Sequence, residues 1–165
     1  EFDEAIPFDA NPAKQLAAAL HGNLPIIYTS GPLTAAGERW KTQFNENSKS
    51  ASFLEVLPEL CHNSIEGYES PVEGRARTFI IILQPPAPLE PPIASQYEAI
   101  TQLLLKHGIH YQAIQARGES PLVQMIDLVL YGDYVSYYLA ILNGVDPGPV
   151  KSIEFLKEHL RSKTP

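Results

Sequence analysis

The sequence is poor in sulfur and in positive charge, and each shortage removes a class of protein. Cys61 is the only cysteine, so there is no disulfide framework and no thiolate metal cluster, which fits a reducing, cytoplasmic setting. Twelve Lys and Arg face nineteen Asp and Glu, a formal net charge of −7. That balance argues against a basic groove for nucleic acid and leaves room only for a local anion site. No stretch reaches the roughly 18–20 uninterrupted apolar residues of a membrane span; the longest candidate is broken by Asp127 and Asp133. Neither GxGxxG nor GxxxxGK[ST] occurs, which argues against a nucleotide cofactor. The opening EFDEAIPFDANPAK is acidic and broken by proline. It reads as a linker or extension over residues 1–12 rather than a signal peptide, with the folded domain over 13–165.

What is present is an alternation. Asn11-Pro12 is an N-cap and first-turn signal for a helix that Gly22 closes. LPIIYTS, SASFLEVL, RTFIIIL and HYQAIQA read as strands, β-branched or aromatic and short. Between and after them the spacing predicts helices from Pro32 to about Asn47, from about Ile93 to His107, from Pro121 to Asn143, and from Pro149 to about Ser162. PELCHNSIEGYE reads as a helical turn. Strands alternating with helices, and apolar enough to be covered on both faces, predict a parallel sheet in a three-layer α/β/α sandwich of Rossmann or flavodoxin-like type. Ligands in such folds bind beyond the carboxyl ends of strands. The loops after Ser30, Leu57, Leu83 and Ala116 are therefore expected to surround a site, with Glu46 and His62 in one cleft.

The chemistry-bearing residues concentrate in FNENSKSASFLEVLPELCHNS, residues 44–64. Arg39, Gln43 and Glu46 follow helical steps of four and three and share a face away from Trp40 and Phe44. That face is either an ordinary solvated one or a functional one. Asn45 and Asn47 favour the second, because asparagine is a poor helix former and a good orienter of neighbours. A glutamate and a histidine from adjacent βα units suit proton transfer near neutral pH, since imidazole titrates there and burial raises a carboxylate toward it. His107 and His110 have no Cys or acidic partner nearby and make a weak metal pair. Cys61 reads as a small buried residue. Ser30-Gly31 before Pro32 offers a weak anion site at a helix start. The Pro121–Asn143 helix is apolar around most of its circumference, which predicts deep core or an interface.

ERWKTQFNENSKSASF, LPELCHN and DYVSYYLAILNGVDPGPVKSIEFLKEHL, in this order across residues 24–161, resemble the C-terminal half of the bifunctional phosphoglucose/phosphomannose isomerases, members of the sugar isomerase (SIS) domain superfamily. The resemblance implies two SIS domains per subunit, each with a five-stranded parallel sheet, paired subunits forming a homodimer, and interconversion of glucose or mannose 6-phosphate with fructose 6-phosphate without a metal or cofactor. By motif position it implies Glu46 as the base that moves a proton between C1 and C2 through a cis-enediol. It likewise implies His62 as the group that opens the sugar ring and Lys157 as a lysine reaching the substrate hydroxyls. Arg39, Asn45, Asn47 and Asn63 are the accompanying candidates for substrate binding.

The pattern departs from the family in two places. Ser64 stands where the family's HN is usually followed by Glu, and Gly148 stands in the DP.PV turn where a Thr is associated with the mannose epimer. The family's Ser/Thr-rich phosphate loop and essential arginine belong to its N-terminal SIS domain, and nothing in these residues reads as that loop. The chain is therefore expected to be the C-terminal domain of a longer enzyme, partnered by an N-terminal SIS domain and a second subunit. A non-catalytic module that binds sugar phosphates is the alternative.

Overall fold

A computed structural model describes residues 1–163. In chain order the elements are α1 (Pro12–Leu20), β1 (Leu24–Ser30), α2 (Thr34–Glu46), β2 (Phe53–Leu57), α3 (Val72–Arg75), β3 (Thr78–Gln84), α4 (Pro91–His107), β4 (His110–Gln115), α5 (Pro121–Leu142) and α6 (Lys151–Arg161). Local signals account for most boundaries. Asn11 caps α1, its side-chain oxygen accepting the Ala13 and Lys14 N–H groups at 3.1 Å. Gly108 at φ +65° ends α4 in the left-handed conformation that glycine enters without penalty. The PELCHNSIEGYE segment forms two 3₁₀ turns, Glu59–His62 and Ser64–Tyr68, where one helical turn was expected.

The four strands form one parallel sheet in the order β2-β1-β3-β4. The resemblance implies five strands, and four are found among the described residues. After Gln115 the chain goes into α5, a turn and α6, and no further β-branched run is left to pair. The central strands are buried on both faces, as their apolar runs require. Alternation divides them: Ile27, Phe79, Ile81 and Leu83 face a core built with α1, α2 and α5, whereas Tyr28, Ile80 and Ile82 face a second core under α4 and the 59–75 segment. The edge strands β2 and β4 keep exposed positions, Phe53 among them. Three layers result, as expected.

Helix α5 is, among the described residues, the one helix long and apolar enough to cross a membrane by length and composition, with mean hydropathy 1.3. The two aspartates that break its apolar run do not break the helix. Asp133 pairs with Arg39 and Asp127 with Arg117 at the surface. Leu128, Val135 and Leu139 are buried against α1 and α2, which is core-helix behaviour. Leu122, Ile126, Leu130, Tyr137 and Ile141 remain exposed along its other side.

The seam between α2 and α5 is a close one. Trp40 is fully buried, and its indole N–H donates to the Leu128 carbonyl at 2.7 Å. Its ring lies where a Cβ on Gly132 would stand, 2.3 Å from that position. Only glycine lets the two backbones approach this far. The N-terminal stretch expected to be a linker packs on the same helix: Phe2 is buried and stacks on Tyr131 at 4.8 Å, and its carbonyl accepts the Tyr138 hydroxyl.

Candidate functional site

The loop after α2 is sewn to α5 by amides and hydroxyls. The Asn45 amide donates to the Ser50 carbonyl at 2.8 Å and to the Ser52 hydroxyl at 3.1 Å. The Asn47 amide donates to Gln43 Oε1 at 2.7 Å and to Ser136 Oγ at 2.9 Å. Ser48 Oγ donates to the Ser136 carbonyl at 2.8 Å, and Asn143 reaches back to the Ser48 carbonyl and Ser50 Oγ. These contacts satisfy polar groups that helix α2 and its exit would otherwise leave open. The asparagines orient the loop, and their donors are occupied by protein acceptors.

Glu46 is different. It is the last residue of α2 and only partly buried, and among the described residues its carboxylate has no hydrogen bond or ion pair. It lines a cavity of about 620 Å³ with Asn45, Lys49, Asp146, Pro149 and Ile153, formed between the end of α2 and the α5–α6 connection. Lys157 lies four residues beyond Ile153 and so continues the same face of α6, one turn further out. Arg39 points its guanidinium at Asp133, with Nε and Nη2 each 3.0 Å from a carboxylate oxygen. That hydrogen bond, and less strongly the nearby Glu46 charge, holds the Arg39 guanidinium above its ordinary range.

His62 is elsewhere. It is exposed and ends the 3₁₀ turn after β2, whose Leu60 is buried. Asn63 beside it donates to Glu59 Oε1 at 3.2 Å and caps the Ser64 N–H. Ser64 Oγ donates to Glu55 on β2 at 2.7 Å, so a carboxylate from the strand meets the position where the family pattern has its own. Cys61, expected to be buried, is half-buried against the second core, and that burial pushes its thiol up. Among the described residues no three His, Cys, Asp or Glu side chains gather into a group able to hold a metal ion.

Glu46 and His62 therefore do not share a cleft within the chain. Strand β2 begins beside the end of α2, since the Asn45 amide donates to Ser52 Oγ, and it ends with Leu57 paired to Ser30 at the carboxyl edge of the sheet. Five strand residues, roughly 16 Å at the usual rise, separate the two edges. The expectation that both residues stand beyond the carboxyl ends of strands fails for Glu46. Helix α2 starts at that edge and runs back antiparallel to the strands. Thirteen helical residues cover about 20 Å, which delivers the last of them to the opposite edge. Sequence reasoning also missed Lys49 and the 145–153 segment as walls of the Glu46 cavity. The available signal was Lys49's place directly after the NENS stretch.

A family model described as the bacterial phospho-glucose isomerase C-terminal SIS domain matches residues 9–160. The chain belongs to this family. Among curated relatives, the bifunctional phosphoglucose/phosphomannose isomerase of Caldicellulosiruptor bescii is 40% identical over 157 residues, covering 94% of this chain and 46% of that protein. That of Aquifex aeolicus is 37% identical over 149 residues, covering 90% of this chain and 46% of that protein. Of solved structures, a glucose-6-phosphate isomerase like protein from Thermus thermophilus superposes with a TM-score of 0.69 at 28% identity, covering 93% of this chain and 49% of that one. The C-terminal domain of glucosamine-fructose-6-phosphate aminotransferase from Francisella tularensis superposes at 0.62 with 13% identity, covering 81% of this chain and 41% of that one, a likeness of fold alone. The chain spans about half the length of the curated relatives it matches. As a bacterial phospho-glucose isomerase C-terminal SIS domain, it carries the NEN and HN stretches on opposite edges of its sheet.

Proposed function

We propose that this SIS domain is the C-terminal half of an enzyme that interconverts glucose 6-phosphate or mannose 6-phosphate with fructose 6-phosphate. The observation that carries the reading is the Glu46 carboxylate, unpaired among the described residues and facing a cavity of about 620 Å³. A module that only binds sugar phosphates has no use for such a group, whereas a proton-transfer site needs one. In the open-chain aldose the base takes the C2 proton and returns it to C1, while the compensating proton passes from O2 to O1. The intermediate is a cis-enediol. The C–H acid is weak, so the rate depends on holding the carboxylate close and oriented. The fixed loop around Asn45, Asn47 and Ser48 supplies that rigidity, and Lys157 on α6 reaches the sugar hydroxyls. The phosphate is gripped by an N-terminal SIS domain.

His62 opens the ring by moving a proton between O5 and O1, and its place in the fold adds a condition. Because it lies at the other edge of the sheet, His62 meets the substrate of Glu46 only when it comes from a second subunit. The active enzyme is then a homodimer with composite sites. The test uses the full-length enzyme and fructose 6-phosphate as substrate. Glu46→Gln is expected to lose about 10²-fold or more in kcat, as for a general base. His62→Ala is expected to lose less when open-chain sugar is supplied. Mixing the two impaired variants under subunit exchange, with ring-closed substrate, is expected to raise activity to about a quarter of wild type, since half the dimers are mixed and each holds one intact site. Full activity of Glu46→Gln would rule Glu46 out as the base, and no turnover by the wild-type enzyme would refute the isomerase reading; no recovery on mixing would refute the composite site.

A further inference from the structure

Lys49 is three residues beyond Glu46, and its backbone is the only non-glycine one among the described residues at positive φ, +55°. A lysine enters that left-handed region against the steric preference of its Cβ. The turn brings its ammonium to three backbone carbonyls. It donates to the Glu46 carbonyl at the end of α2, to Pro149 at 2.7 Å, and more weakly to Pro147 at 3.4 Å. An ammonium has three protons to donate, and all three have acceptors here. Among the described residues no carboxylate pairs with it. A lysine held this way is not presented to a ligand; it joins two pieces of backbone.

The pieces it joins are the ones that bear on Glu46. One is the last turn of α2. The other is the Pro147–Val150 connection that launches α6, every residue of which is exposed. With no buried residue to seat it, α6 takes its direction from its N-terminal junction. The cavity of about 620 Å³ lies between the two pieces, and Lys157 rides on the helix that the junction aims.

We propose that Lys49 is a positioning residue that couples the end of α2 to the start of α6, and so sets Lys157 against Glu46 across the cavity. This rests on the isomerase reading above. It predicts a signature that simple helix capping lacks. Lys49→Asn tolerates the left-handed backbone and removes the ammonium. In the full-length enzyme with fructose 6-phosphate it is expected to lower kcat by about 10- to 100-fold, the scale of a misplaced reacting group, with KM within about 3-fold. In a Lys157→Ala background the same substitution is expected to cost less than about 2-fold, because the two residues act through one geometry. Lys49→Gly, which relieves the backbone entirely, is expected to behave as Lys49→Asn does and serves if that variant folds poorly.

Glu46→Gln runs alongside and separates the two layers of inference. If Glu46→Gln is inactive while both Lys49 variants keep wild-type kcat, the isomerase reading stands and the positioning role is refuted. A rise in KM with kcat unchanged would make Lys49 a substrate-binding group and also refute it. Fully multiplicative losses for Lys49→Asn and Lys157→Ala would show independent action and overturn the coupling as well. If Glu46→Gln is fully active, Glu46 is not the base and this inference falls with it, whereas no turnover by the wild-type enzyme sinks the isomerase reading itself.

Discussion

The contact between Gly132 and Trp40 fixes how closely α5 lies on α2, and so where the α5–α6 connection stands relative to Glu46. Gly132→Ala tests it. An added Cβ would sit 2.3 Å from the indole Nε1 and 2.5 Å from Cδ1 and Cε2, far inside any tolerated contact. Trp40 is also held by Phe44 and Tyr131, edge-on at 5.9 and 5.6 Å, so it has little room to retreat. Overpacking of this kind costs about 1–3 kcal/mol. Moving the indole also stretches its 2.7 Å bond to the Leu128 carbonyl, a further cost of about 0.5–1.5 kcal/mol. Against these stands a gain of about 1 kcal/mol for alanine over glycine inside a helix. The net is a destabilisation of about 0.5–3.5 kcal/mol, or about 1–14 °C in Tm for a domain of this size. Trp40 is the only tryptophan, so urea unfolding followed by its fluorescence reads both the stability and the displaced ring. In a Trp40→Phe background, where the smaller ring leaves space, Gly132→Ala is expected to be neutral or stabilising. A variant as stable as wild type in the Trp40 background would refute the claim that glycine sets this spacing.

Two further outcomes follow from the same packing. Asn143→Ala removes the donor to the Ser48 carbonyl and Ser50 Oγ and is expected to cost about 0.5–1.5 kcal/mol, because partly buried acceptors lose their partner; urea midpoints check it, and no change would show that water replaces the amide. Burial pushes the Tyr131 phenol up to about 12 from its ordinary 10, and burial first, then the hydroxyl of Tyr68, raises Tyr28 as well. A raised folded pKa means the folded state holds the proton more tightly, so this stability is complete below pH 10 and is lost as pH rises toward 12. Urea melts on either side of pH 10 are expected to show the loss, with a shallower fall in Tyr131→Phe; equal slopes in the two proteins would refute Tyr131's share.

Where signals are local, the sequence sufficed. Asn11-Pro12 starts a helix, Gly108 ends one, and the LPIIYTS and RTFIIIL runs become the buried central strands, because caps, left-handed glycines and β-branched alternation act within a few residues. The three-layer order follows from their alternation. Family membership was legible too, in motifs that keep their order along the chain. The asparagines of NEN orient their neighbours, as their residue type implies, and the Asn47–Ser136 and Asn143–Ser48 contacts specify what is held. Those partners lie 89 and 95 residues away, and no local pattern announces them.

What only the tertiary structure decided is which functional residues meet. Sixteen residues separate Glu46 from His62 in sequence, and adjacent βα units invite one cleft for both. The antiparallel return of α2 and the forward run of β2 put them on opposite edges instead. The same return sets Glu46 beside Lys49 and the α5–α6 connection, about a hundred positions on. Propensity, capping and alternation determine what each segment is. Where its ends fall depends on the length and direction of every element between, and that sum exists only in the folded chain.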